Sequence, residues 1–333
     1  MYYFFNYFNI FAAPIFCFFA LGKGITYLFL AFILAFLIHP FFDLLTNQTL
    51  IKSSLLKLNN KNFTKWLYEI PLLLAIPFQI FLVISAFIYG DKTLLDSIYS
   101  GVLLGLSGGI LGIASSHELI HRPNRILKWI GQVMLYTINY PHFHIEHFWH
   151  HYAIGTIKDP DTAQKNENIY QFWIRSISQG WLDCWKWAPK RKTMLKVTIS
   201  QIIINFLILV ILGVNSLIIF LVQGFVTLLL LKWINYVEHY GVKRKTINGK
   251  LEAIGSHHSW DSTNPLTNFS LFNLGYHSEH HRRSTLAYYD LPEKKEEWNE
   301  LPFGYSTMMM IALAPYAWRK IMNPKVEKVF PNA

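Results

Sequence analysis

Along the 333 residues, unbroken apolar runs alternate with stretches rich in charge and histidine. Six runs, at 3–21, 25–45, 70–90, 97–116, 198–213 and 216–237, approach the roughly 17–25 residues that a spanning helix needs. The pattern predicts an all-α integral membrane protein with about six transmembrane helices. Gly213-Val214-Asn215 reads as a tight turn that makes the last two runs a helical hairpin. The first run lacks the basic front and small-residue cleavage site of a signal peptide. With six spans, the N-terminus and the segments 46–69, 117–197 and 238–333 share one membrane face. The chain therefore reads as a single membrane domain over 1–333, with a histidine-rich cap formed by 117–197 and 238–333.

Composition agrees with that reading. Hydrophobic residues make up 52% of the chain and charged residues only 15%, against about 25% in soluble domains. The net charge of +10 is uneven. Lys52, Lys57, Lys61, Lys65, Lys190-Arg191-Lys192, Lys243-Arg244-Lys245 and Arg282-Arg283 fall on the shared face, whereas the opposite loops offer Lys23 and Lys92. The positive-inside bias makes the shared face cytoplasmic, with both termini and the histidines on it, at the inner membrane in a bacterium. No basic soluble module is present to bind nucleic acid. The two cysteines, Cys17 and Cys184, build neither a disulfide framework nor a thiolate metal site. Redox chemistry that needs sulfur ligands has to come from another protein.

Fourteen histidines change the picture from membrane protein to metal protein. His117 and His121 are spaced i, i+4; His147, His150 and His151 are spaced i, i+3, i+4, as are His277, His280 and His281. Each set lies on one helical face. His239 follows the sixth run in "NYVEHYG". Nine imidazoles at one membrane boundary are costly unless something binds their lone pairs. His39, His142, His144, His257 and His258 read as ordinary interfacial or packed histidines, although His144 shares a helical face with His147 and His151. His117-Glu118-Leu119-Ile120-His121 also fits the HExxH pattern of a zinc protease. A protease would leave two three-histidine sets unused, and nine ligands exceed one zinc and suit two ions. Imidazole alone does not choose between iron, zinc, copper and nickel.

The boxes HX3H, HX2HH and HX2HH resemble those of the membrane desaturase and hydroxylase superfamily. Within it the chain resembles the alkane 1-monooxygenase (xylene monooxygenase-like) family. The resemblance rests on "HELIHR" at 117–122, "HFHIEHFWHH" at 142–151, "ENIYQFW" at 167–173, "NYVEHYG" at 235–241, "HHSWDS" at 257–262 and "LGYHSEHH" at 274–281. It covers about residues 70–290. Two motifs depart from the family pattern. The second box is one residue shorter than its common form, which leaves His144 as an alternative to His147, and Gly275-Tyr276 stands where a Gln-Arg pair is usual.

The resemblance implies a non-haem di-iron centre held by His117, His121, His147, His150, His151, His239, His277, His280 and His281. It implies a monooxygenase that hydroxylates an unactivated C–H bond, such as the terminal methyl of an alkane or alkyl chain. Dioxygen and two electrons would be consumed, the electrons coming from a rubredoxin or ferredoxin with its NAD(P)H reductase. A desaturase acting on lipid chains is the nearest rival. A metal transporter would want polar groups at the bilayer midplane, where these runs have almost none. The substrate is expected to be oily, and "GLSGGILGIASS" at 105–116 serves either close helix packing or a substrate channel. Glu118, Glu146, Glu238, Asp261 and Glu279 are expected to orient ligands from the second shell. Lys190, Arg191, Lys192, Arg282 and Arg283 are candidate docking charges for an acidic donor.

Overall fold

The computed structural model describes residues 3–48, 65–90, 92–187, 191–292 and 298–331. Lys52, Lys57, Lys61 and Lys190 lie outside them. Most of the described residues are helical. A 3₁₀ helix, Tyr3–Phe11, runs into α1 (Ala12–Ala20). Then come α2 (Ile25–Leu45), α3 (Lys65–Tyr89), α4 (Leu94–His121), α5 (Arg125–Thr137), α6 (Phe143–Ala153) and α7 (Ile169–Lys186). The hairpin α8 (Arg191–Leu212) and α9 (Val214–His239) follows. A small antiparallel ribbon pairs β1 (Thr246–Ile247) with β2 (Lys250–Leu251). The tail carries α10 (Pro265–Ser270), α11 (His277–Arg282), α12 (Tyr305–Ala312) and α13 (Pro315–Val329).

Five helices, α2, α3, α4, α8 and α9, are long and apolar enough to cross a membrane. The expected first span is the difference: the apolar helix Phe4–Ala20 falls short of that length in residues. Its opening is 3₁₀, which rises about 2.0 Å per residue instead of 1.5 Å. Nine residues of each kind reach about 30 Å, near the hydrocarbon thickness of a bilayer. The fourth span also differs, since one helix continues from Leu94 through His121 and includes the HELIH stretch. It ends where Pro123 forces Arg122 into extended backbone (φ −63°, ψ 138°).

Helix α4 is the centre of the bundle, 78% buried over its apolar window, whereas α8 is 6% buried and lies outermost. Glycines let α4 and α9 lie close and parallel. A Cβ on Gly101 would come within 2.7 Å of Val222 Cβ, one on Gly105 within 2.5 Å of Val226 Cβ, and one on Gly109 within 2.7 Å of Leu230 Cδ1. The contacts advance together along both helices, so both run the same way. Their last turns, with His117 and His121 on one and His239 on the other, therefore emerge at the same end. A π-helical turn at Gly108–Ile113 interrupts α4 just before the histidines.

The tail closes over that end. Tyr7 donates to Asn273 Oδ1 at 3.0 Å, and its ring packs edge-on to Tyr288 at 4.8 Å, joining the N-terminal segment to the residues around α11. Trp318 and Met322 of α13 are fully buried with Tyr236 of α9. Gly105→Ala should drive a methyl into Val226. The expected loss is about 1–3 kcal/mol, read as a lower melting temperature of the detergent-solubilised protein. Unchanged melting would mean the two helices are not in such close contact.

Candidate metal centre

The nine boxed histidines converge into two groups, each with ligand nitrogens within 4.8 Å of one another. One group holds His117, His121, His147, His151 and His280; the other holds His150, His239, His277 and His281. Helix geometry explains this partition. At 100° per residue, positions i and i+4 lie 40° apart, whereas i+3 lies 60° to the other side. His147 and His151 of α6 therefore turn to the first group and His150 to the second. On α11 the same spacing sends His277 and His281 to the second group and His280 to the first. The HX3H box supplies two more to the first group, and α9 supplies His239 to the second.

The nitrogen spacings carry chemical information. In the first group Nε2 of His147 lies 2.8 Å from Nε2 of His121 and 3.0 Å from that of His151, which is 3.1 Å from Nε2 of His280. In the second, Nε2 of His239 lies 3.1 Å from that of His150 and 3.0 Å from that of His277, with His281 Nε2 a further 3.0 Å from His277. A metal 2.0–2.1 Å from two nitrogens sets them about 3.0 Å apart at a right angle and about 3.4 Å apart at the tetrahedral angle. Spacings of this size allow neighbouring nitrogens to share one ion. His117 Nε2 is buried with no hydrogen-bond partner. Burial, reinforced by neighbouring imidazoles, holds His147, His151, His277, His280 and His281 well below the usual histidine pKa. They are neutral rings with lone pairs to give, and the two groups fit one cation each.

Sequence spacing did not reveal what holds these rings from behind. Burial alone would lower the pKa of His150, but the Asp159 carboxylate overrides it and holds the ring above its ordinary value. His150 Nδ1–H donates to Asp159 Oδ2 at 2.9 Å, which turns Nε2 toward its group. Asp159 belongs to "KDPDT", where the sequence pattern signals only a turn; a carboxylate eight residues after the second histidine box was the available clue.

Among the five carboxylates expected behind the ligands, Glu238 does approach a ring, with Oε1 3.2 Å from His277 Nδ1. The other four have different partners. Glu118 pairs with Arg122 at 2.8 Å and accepts from the Tyr288 backbone N–H at 3.0 Å. Glu146 is bound by Lys232 and Tyr140. Asp261, pushed up to about 8 by burial, accepts from the Ser278 backbone N–H at 2.7 Å. Glu279 pairs with Arg282 at 2.6 Å and lies 3.7 Å from Arg283, so these two arginines are partly neutralised as docking charges. Arg191 and Lys192 are exposed at the start of α8.

The remaining histidines stay outside both groups. His144 lies outside both groups, with Nδ1–H donating to Pro141 O at 2.7 Å, and His147 is the one in the first group. His39, expected at the interface, lines an apolar cavity. His258 accepts the Gly255 N–H on Nδ1 at 2.8 Å and lies 3.2 Å from Glu252 through Nε2. That leaves no lone pair for an ion, although Glu252, His257 and His258 lie close enough to suggest one.

A small cavity adjoins the metal groups, and a larger one borders it. The larger, about 370 Å³, is lined mostly by apolar side chains, among them Phe16, Ala31, Phe36, Leu106, Ile110 and Leu230. The smaller, about 20 Å³, is walled by Phe143 and by His117, His147, His150 and His277. Gly109, Ile234 and Leu271 line both. The small one has room for a single water-sized molecule. Among the small residues of 105–116, Gly105 packs against α9 and Gly109 borders the cavities. His147→Ala should remove metal from the protein by elemental analysis, while His144→Ala should leave the metal content unchanged. The reverse pattern would exchange their roles.

Comparison with known proteins gives the arrangement its relatives. Residues 97–312 match the fatty acid desaturase family model. The chain is 34% identical to alkane 1-monooxygenase 2 of Alcanivorax borkumensis over 243 residues, covering 69% of this chain and 63% of that protein. It is 32% identical to alkane 1-monooxygenase 1 of Pseudomonas aeruginosa over 241 residues, covering 68% and 63%. Against alkane 1-monooxygenase 2 of the same organism, identity is 32% over 286 residues, covering 79% and 73%. The chain thus spans somewhat less than two thirds of the first two relatives and nearly three quarters of the third. By the family match and these relatives together, the chain belongs to the fatty acid desaturase family, in its alkane 1-monooxygenase group.

Proposed function

We propose that this protein is a non-haem di-iron monooxygenase that hydroxylates the terminal methyl of an alkane or alkyl chain, using dioxygen and two electrons from a rubredoxin or ferredoxin. The observation that carries the reading is the apolar cavity of about 370 Å³ bordering a water-sized space walled by four of the grouped histidines. The names of the relatives point the same way.

The chain's own residues divide the work. His117, His121, His147, His151 and His280 would hold one iron, and His150, His239, His277 and His281 the other. Such a pair, when bound, supplies reductive activation of dioxygen and oxidation of an unactivated C–H bond. Ala12, Ala13 and Phe16 of α1 and Ala31, Leu34 and Ile38 of α2 line the cavity. A hydrocarbon would enter from the lipid between these helices and lie with its end toward Phe143 and the histidines. The narrow inner space restricts what reaches the metals to a chain terminus or a small molecule. Asp159 holds His150 in orientation, and Glu238 lies beside His277. The zinc-protease reading of HELIH loses support because Glu118 is tied to Arg122 and Tyr288.

The donor would approach the cytoplasmic face. A surface groove there is lined by Lys158, Lys243, Arg244 and Lys250 together with Trp149 and Leu251, and among the described residues no carboxylate lines it. Trp149 and Tyr152, also in its wall, sit on α6 beside His150 and His151. An acidic carrier fits this groove better than it fits Arg282 and Arg283, which share Glu279.

Two experiments test the reading. Membranes containing the protein, a rubredoxin and its reductase are given oxygen-18 gas and a panel of alkanes, alkylbenzenes and fatty acyl chains. A labelled primary alcohol is expected; an alkene would make the enzyme a desaturase, and no oxidised product would overturn both. Lys158→Glu with Lys250→Glu should slow carrier-driven turnover about tenfold at low salt and flatten its salt dependence, leaving turnover with a small chemical reductant intact. Equal losses with both reductants would count against docking in the groove.

A further inference from the structure

One charged cluster has no part in that reading. Lys232 lies in the spanning helix α9, seven residues and two turns before His239, with its side chain 1% exposed. Its Nζ lies 2.5 Å from Glu146 Oε1 and 2.7 Å from Asp161 Oδ1. Both carboxylates are themselves buried. Glu146 sits on α6 one turn before His150, and its other oxygen accepts from Tyr140. Asp161 accepts from Ser176 at 2.5 Å, and its backbone N–H donates to Asp159 Oδ1 at 3.1 Å. Asp159 is the carboxylate that holds His150.

One ammonium thus links three parts of the second metal group: the helix carrying His239, the helix carrying His150, and the turn that orients His150. Helix α7 is shaped around the link. Gly180 leaves space for Glu146, and any Cβ there would collide with Glu146 Oε1. Arg175, one turn earlier, holds the same turn by donating to Pro160 O at 3.1 Å and Thr162 O at 3.0 Å.

A buried ion pair that loses one partner leaves an uncompensated charge, which is far worse than never having the pair. Without the ammonium, Glu146 and Asp161 face one another at low dielectric with no cation between them and are pushed apart. Loss of the ammonium also unties α6 from α9 at this level, because Lys232 to Glu146 is a contact between those two helices. The five-histidine group draws His147 and His151 from α6 but nothing from α9. The four-histidine group needs α6 and α9 in register, because His150 and His239 stand 3.1 Å apart. Damage should therefore fall on that group.

We propose that Lys232 is a positioning residue for the four-histidine site: by clamping Glu146 and Asp161 it keeps His150 and His239 in register to hold the same ion. This rests on the two-metal reading above. The test loads metal-free, full-length protein in detergent with ferrous iron. It then follows release to a ferrous chelator and records Mössbauer spectra. The wild-type protein should hold two irons in two distinguishable environments. Lys232→Met should speed release of one iron about 10–100-fold, in line with the usual cost of disturbing a ligand's supporting shell, and remove one spectral component while leaving the other. Gly180→Ala, which displaces Glu146 without removing a charge, should speed the same phase less and keep the fold. Both variants releasing iron like wild type, or both phases accelerating equally, would overturn the clamp alone. Wild-type protein with a single iron environment would overturn the two-metal reading and the clamp with it.

Discussion

Nine imidazoles crowd into one region because they all sit in or beside the last turns of helices, and that crowding governs the inner half of the molecule. Each buried nitrogen without a partner costs about 1–3 kcal/mol, so four or five per group approach the order of 10 kcal/mol that a metal ion returns on binding. Hydrogen bonds between rings cannot satisfy a whole group, since a neutral imidazole has a single N–H and a ring that spends it on a backing group, as His150 does on Asp159, turns only a lone pair to its neighbours. His121, the pair His150 and His151, His239, and the pair His280 and His281 lie in the final turns of α4, α6, α9 and α11. Helix C-termini carry partial negative charge. Four such ends, most weakly that of the short α11, face the two histidine groups.

Close packing in the membrane delivers two of those ends together. Parallel neighbours gain nothing from their dipoles, so the proximity of α4 and α9 has to come from van der Waals fit, which Gly101, Gly105 and Gly109 permit. The same stripe then opens into cavity wall at Gly109, beside the π-helical turn. A single run of small residues therefore sets both the height of the histidines and the space in front of them.

Behind the rings, the protein puts charge where a membrane protein can least tolerate it. Lys232, Glu146 and Asp161 are all fully buried, and they are affordable only as a set. Their placement against Asp159 and His150 makes the polar interior continuous from the spanning helix to one metal group. The other group is flanked instead by Glu118, Arg122 and Glu69, a network with Arg122 2.8 Å from Glu118 and 3.1 Å from Glu69 that fastens α4 to α3.

Much of this was legible in the sequence. Apolar run lengths announced a membrane bundle, and HX3H and HX2HH spacings announced metal-facing helical faces, because both depend on geometry within one helix. The turn at Gly213 and the helix end before Pro123 were legible for the same reason. Packing between helices decided the rest. Only the folded chain divides the histidines five and four, brings His147 in and leaves His144 out. Only there does Asp159 stand behind His150, while Glu146, one turn from that histidine, turns to a lysine 86 positions away. The 3₁₀ start of the chain, which lets a short segment reach about 30 Å, left no mark in the apolar pattern. A sequence states what a helix presents on each face; which neighbour meets that face is settled by contacts between residues far apart in the chain.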